Sequence, residues 1–144
     1  MNIVFRAFKR ITSGLAGTAA IEFAFVIFPT MLLIFGSIEV ARLVWVQNSV
    51  HEIAITGARC MGIDAEECTD ANGFDPAATK AHIQDLARAW GLSLDVSDID
   101  LSENATCGGA TDFSRVVIRY DFTSFLTLLT DIDLGFEACL PNQN

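Results

Sequence analysis

Basic residues are scarce in this chain. Nine lysines and arginines stand against 18 aspartates and glutamates, a formal net charge of -9 at pH 7. A protein that holds nucleic acid through its phosphates needs a basic surplus, so that class of partner is excluded. Charge of either sign is thin, at 19% of residues, where an ordinary soluble domain has about 25%. Histidine is nearly absent: His51 and His82 are the two, and neither stands near a cysteine in sequence. None of the four cysteines forms a CxxC pair, so zinc is a poor expectation. There is no glycine-rich phosphate loop. The acidic runs at 64–67 and 95–103 do not follow the calcium-loop pattern and read as solvated faces. No nucleophile–base spacing stands out, so neither an enzyme nor a cofactor is expected. Disorder is excluded by an apolar content of 51%.

What charge there is lies unevenly. The first 17 residues hold Arg6, Lys9 and Arg10 and no acid, while the rest hold six basic and 18 acidic residues, a net of -12. Between head and body lies an apolar stretch, Leu15 to Ile38, with Glu22 as its one charge. The 21 residues from Thr18 to Ile38 rise about 31 Å as helix, close to the roughly 30 Å of a bilayer core. A buried helix in a soluble core is the competing reading, but a helix apolar on all faces needs more surrounding chain than remains. A cleaved signal peptide is the other competitor; its apolar region spans about 7–15 residues, and this one is longer and runs on into helix-like sequence. Basic residues ahead of the span predict a cytoplasmic N-terminus and an extracytoplasmic body.

Glu22 demands an explanation, because a carboxylate in such a segment is costly and marks function. Its plain reading is an interaction with the positive end of the helix. Gly17 stands five residues before it, in Gly17-Thr18-Ala19-Ala20-Ile21-Glu22-Phe23. With the basic leader upstream and the apolar run downstream, this resembles the type IV prepilin processing site. The resemblance implies cleavage by an inner-membrane prepilin peptidase between Gly17 and Thr18. It makes Glu22 the fifth mature residue and Phe23 the aromatic that follows it in the Flp branch. Glycine offers such a peptidase an unobstructed backbone and weakens the helix locally.

The wider stretch from Arg10 to Arg59 is similar to the TadE/TadF-like minor pseudopilins. It carries Ile21-Glu22-Phe23-Ala24, Pro29, an apolar run, Gly36, Glu39, Gln47-Asn48-Ser49, Ala54 and Ala58-Arg59. The resemblance implies a single-pass inner-membrane protein with a periplasmic body. It would assist or prime assembly of Flp-type tight-adherence pili. Its partners would be the prepilin peptidase, other pilin-like subunits or Tad assembly proteins, and membrane lipid. The alternative is a membrane-anchored periplasmic binding module that never enters a filament.

The expected organisation is a leader at 1–17, a transmembrane helix at 18–38, its extracytoplasmic continuation at 39–60, and a small α+β domain at 61–144. Pro29 removes one hydrogen bond from the span and marks a kink. Glu39, Arg42, Gln47, Glu52 and Arg59 supply wet faces to the continuing helix, and Trp45 stands near the outer interface. Asp75 and Pro76 open a second helix over 77–90, with His82 toward solvent, and Gly91 ends it. Strands are expected from the alternation Leu92, Leu94, Val96, continuing to Leu101. The clearest strand is Val116, Ile118, Tyr120, Phe122, and a final one runs from Ile132 to Ala138. A connector is expected at 103–112 and a short apolar crossing at 125–129. The sheet is expected to be antiparallel. An extracytoplasmic body this small favours disulfides. Three pairings are open; the local loop favours Cys60–Cys68, leaving Cys107–Cys139 to tie the connector to the chain end.

Overall fold

The computed structural model describes residues 16–71, 73–125 and 132–143. One long helix, α1 (Ala16–Gly62), is followed by a minimal antiparallel ribbon, β1 (Thr69–Asp70) and β2 (Gly73–Phe74). A second helix, α2 (Pro76–Ala89), a 3-10 turn at Val96–Asp98, and three strands complete the chain: β3 (Ile99–Cys107), β4 (Ala110–Phe122) and β5 (Ile132–Pro141). The expected leader lies outside the described residues except for Ala16 and Gly17, which open α1. Two compact units are formed, one ending at Val40 and the other running Ala41–Asn144.

In the first unit α1 is apolar on every side, and no residue from Gly17 to Ile38 is buried. Phe25 is 77% exposed and Leu33 75%. Two hydroxyls in this stretch are satisfied within the helix itself. Thr30 Oγ1 donates to the Val26 carbonyl at 2.7 Å and Ser37 Oγ to the Ile34 carbonyl at 2.8 Å, the way such side chains are accommodated in lipid. Pro29 sits inside the helix with no N–H to give. Glu39, expected on a wet face, is buried instead.

The second unit is built on the later turns of α1. Val46, Val50, Ile53, Ala54, Ala58 and Met61 are buried, a spacing that makes one stripe of a 3.6-residue helix. They share a core with Ile83 and Ala87 of α2, Ile99 of β3, Val116, Ile118 and Phe122 of β4, and Ala138 of β5. At Gly57 an added Cβ would lie 2.8 Å from Ile83 Cδ1, so glycine is what lets α2 approach α1 this closely. Helix α2 starts as its residues dictate: the Asp75 carboxylate accepts from Ala77 N–H at 2.8 Å, with Pro76 in the first turn. It stops at Gly91, whose φ of +75° returns the Leu92 N–H to the Ala87 carbonyl at 2.9 Å. His82, expected in solvent, is half-buried.

The sheet is an antiparallel meander, β3-β4-β5. Three details differ from the sequence reading. No strand forms over Leu92–Val96: Leu92 and Leu94 are buried, but the Leu94 and Val96 carbonyls accept from Gln84 Nε2 and Lys80 Nζ of α2 rather than from a ladder partner. The first strand of the sheet therefore begins at Ile99. It also runs on to Cys107, through two register shifts and a positive φ of 53° at Asn104, where a connector was expected. What connects β3 to β4 is only Gly108-Gly109, both at positive φ, the backbone a two-residue hairpin requires. Of the expected apolar crossing, only Phe125 lies within the described residues.

Two disulfides tie this unit, Cys60–Cys68 and Cys107–Cys139. The first holds the end of α1 to the start of the β1–β2 ribbon. The second joins β3 to β5, the two strands flanking β4. Their sequence separations are 8 and 32 residues. By the loop-closure relation these correspond to about 2–3 and 3–4 kcal/mol. Replacing both cysteines of a pair by alanine is thus expected to cost more at Cys107/Cys139 than at Cys60/Cys68. Denaturant titration of the two double variants checks the order.

Candidate functional site

Gly17, Thr18, Glu22 and Phe23 all fall on the first two turns of α1, and all are exposed. Helical geometry sets Thr18 and Glu22 four residues apart on one face, the spacing at which side chains meet. The bond after Gly17 therefore lies within wound helical backbone. The structure records no partner for the Glu22 carboxylate among the described residues. Around it the helix presents Ile21, Phe23, Phe25, Val26 and Phe28, all open. Among the described residues Glu22 is thus the one charged group from Gly17 to Ile38, set among exposed apolar side chains, with Pro29 two turns further on.

The one helix long and apolar enough to cross a membrane is this one, among the described residues. Residues 17–59 of it match the family model described as TadE-like protein. The segment is TadE-like. No curated protein and no solved structure matches the chain. The TadE-like segment opens at Gly17 and closes at Arg59, so it takes in the exposed apolar turns and the turns that carry the second unit's core.

A second cluster of ligand-type atoms lies in the sheet, where the sulfurs of Cys107 and Cys139 and the Glu137 carboxylate come within 4.8 Å of one another. Both sulfurs are in a disulfide and offer no thiolate. The carboxylate is engaged by Arg115, whose Nε donates to Glu137 Oε1 at 2.6 Å. That hydrogen bond is the main cause holding the Glu137 carboxyl below its ordinary range, and it raises Arg115. A carboxylate depressed in the folded state contributes stability above its unfolded value and loses it as pH falls through the folded one. The pair is solvent-exposed, so its effect is small and salt-screened. Glu137→Gln is expected to flatten the acid limb of the stability–pH profile, most visibly at low ionic strength. A shallow concavity of about 250 Å³ between α1 and the end of β5 is lined by Ile55, Ile63, Leu140 and Pro141, with Arg59 as its charged side chain.

One arrangement is invisible in sequence. Arg42 and Trp45, one helical turn of α1, collect aromatic rings from far along the chain. The Arg42 guanidinium lies 5.3 Å from the Phe122 ring centroid and 4.2 Å from that of Phe125. Trp45 and Trp90 meet edge-on with centroids 5.6 Å apart. No periodicity links positions 45, 90 and 125; only the packing of α2 and β4 on α1 does.

Proposed function

We propose that this protein is a minor pilin or pseudopilin of a Flp-type tight-adherence system. A prepilin peptidase cuts it after Gly17, and Thr18 becomes the new N-terminus. The apolar turns of α1 hold it in the inner membrane, with the basic leader on the cytoplasmic side and the acidic body in the periplasm. It associates with other pilin-like subunits or Tad assembly proteins and primes or assists pilus assembly; it is not itself an enzyme.

The observation that carries this reading is the juxtaposition at the head of α1. A glycine, a carboxylate five residues on, and an exposed apolar helix coincide with the start of the TadE-like segment. Removal of the leader frees an ammonium at Thr18 one helical turn from Glu22. In a bilayer that carboxylate needs a cation, its own or that of a neighbouring subunit, and the pair is stronger there than in water. The small side chains Ala19, Ala20 and Ala24 permit close helix approach on that level.

The test is intact-mass and N-terminal analysis of the protein extracted from membranes of cells with and without their prepilin peptidase. The expected product in peptidase-positive cells is a 127-residue chain beginning at Thr18, 17 residues shorter than the full 144. An unshortened chain in those cells would falsify the processing step.

A further inference from the structure

We propose that Trp45, Trp90 and Phe125 form an anchor that seats the Ala41–Asn144 unit in the headgroup layer of the membrane its own helix enters. The three rings are the large aromatic side chains this unit leaves in the open, 58%, 41% and 81% exposed, and Phe122 beside them is buried. They are gathered on one turn of α1, Arg42 to Trp45, by the contacts with Arg42 and with Trp45 itself. That turn is the first of the unit, the point at which the chain passes into it from the apolar segment. Exposed apolar side chains continue up to it, through Val40 and Val44.

The occupant is argued from this continuity and from chemistry. Trp45 follows Ile38 by seven residues, about 10 Å of helix, and helical side chains lean back toward the N-terminus. That reaches the headgroup layer, roughly 5–7 Å deep on each side of the hydrocarbon. Indoles settle at that level because one edge is apolar and the N–H finds water or ester oxygen. The unit carries six basic and 16 acidic residues, so anionic headgroups would repel it. The surface that suits it is a zwitterionic one, held through the aromatic rings and insensitive to salt. Trp90 is the informative residue. It closes α2, and its contact with lipid does not follow merely from α1 crossing the membrane.

The inference rests on the membrane-spanning reading of α1, and the experiment separates the two. The chain has two tryptophans in all, so Trp45→Phe leaves Trp90 as sole reporter, and Trp90→Phe leaves Trp45. A third variant, Phe28→Trp with both native tryptophans replaced by phenylalanine, reports on the span. Each full-length variant is reconstituted in phosphatidylcholine vesicles with lipids brominated near the headgroup or near the chain end. The expected result is quenching of Trp90 at least twofold stronger by shallow than by deep bromine, unchanged between low and high salt. The Phe28→Trp reporter is expected to favour the deep bromine. Trp90 open to aqueous iodide and untouched by brominated lipid overturns the anchor while the Phe28→Trp signal keeps the span. Shielding of Trp90 from both quenchers overturns it in favour of a protein partner on that face. Failure of the Phe28→Trp reporter removes the span and the anchor together.

Discussion

Replacing Phe122 with alanine is expected to destabilise the Ala41–Asn144 unit by about 3–5 kcal/mol, the range for truncating a buried aromatic side chain. Phe122 is the last residue of β4 and 2% exposed, the largest fully buried side chain of the core. It pairs across the sheet with Ile132 and belongs to the core cluster that includes Val46, Val50 and Ile118. Its ring also lies under the Arg42 guanidinium. Arg42 keeps Phe125 as a second aromatic contact, so most of the loss comes from the cavity and not from the cation. Phe122→Leu, which refills much of that volume, is expected to recover a large part of it. A loss of 3 kcal/mol is a large fraction of the roughly 5–15 kcal/mol that holds a domain folded. In a unit near 100 residues it lowers the melting midpoint by more than about 10 °C. Thermal unfolding in detergent, followed by the Trp45–Trp90 fluorescence, measures it. A midpoint within about 2 °C of the parent would mean that Phe122 is not a keystone of this core.

The elements that could be read from sequence are those whose signal is local. The apolar length of α1 needs no partner to be recognised. Asp75-Pro76 and Gly91 mark the two ends of α2 by the backbone chemistry each residue supplies, and the structure uses them as caps. Strand β4 alternates cleanly because one face is covered and the other is not.

The failures are of one physical kind. Leu92, Leu94 and Val96 alternate as a strand would, and a loop pressed against a core can also bury alternate side chains, here Leu92 and Leu94 but not Val96. Whether its carbonyls meet a neighbouring strand or the side chains of Lys80 and Gln84 is decided by α2, which the local pattern does not contain. Conversely Glu103 and Asn104 look like a connector because two register shifts break the period within β3. The Arg42–Trp45 turn falls to the same limit: its aromatic clustering depends on segments tens of residues away. At the candidate site, the spacing of Gly17, Thr18 and Glu22 was legible. Its placement on backbone already wound into helix was not.

That placement sharpens the second large effect. On the processing proposed above, substitution of Gly17 by valine is expected to abolish cleavage, and substitution by alanine to slow it. A peptidase needs its target bond extended, and here the bond after Gly17 is part of α1. Unwinding must precede cutting. Alanine favours helix over glycine by about 1 kcal/mol, which alone predicts roughly a fivefold slower reaction. Valine favours helix over glycine by less than alanine does, but its branched Cβ also blocks a subsite shaped for a bare backbone. A drop of a hundredfold or more, about 2.7 kcal/mol of lost transition-state stabilisation, would mark that steric part. Glu22→Gln keeps the shape of the side chain and removes its charge. Because Glu22 lies beyond the bond to be cut, on the face below Thr18, this variant is expected to be cleaved and yet to enter pili poorly. Glu22→Asp, which keeps the charge on a shorter stem, should recover part of the assembly. Pulse-chase mass analysis reads the first step and surface pilin recovery reads the second. Equal loss of cleavage in Gly17→Ala and Gly17→Val would remove the steric term. Normal pilus yield with every neutral residue at position 22 would remove the charge pair, leaving apolar packing of α1 as the sole contact between subunits.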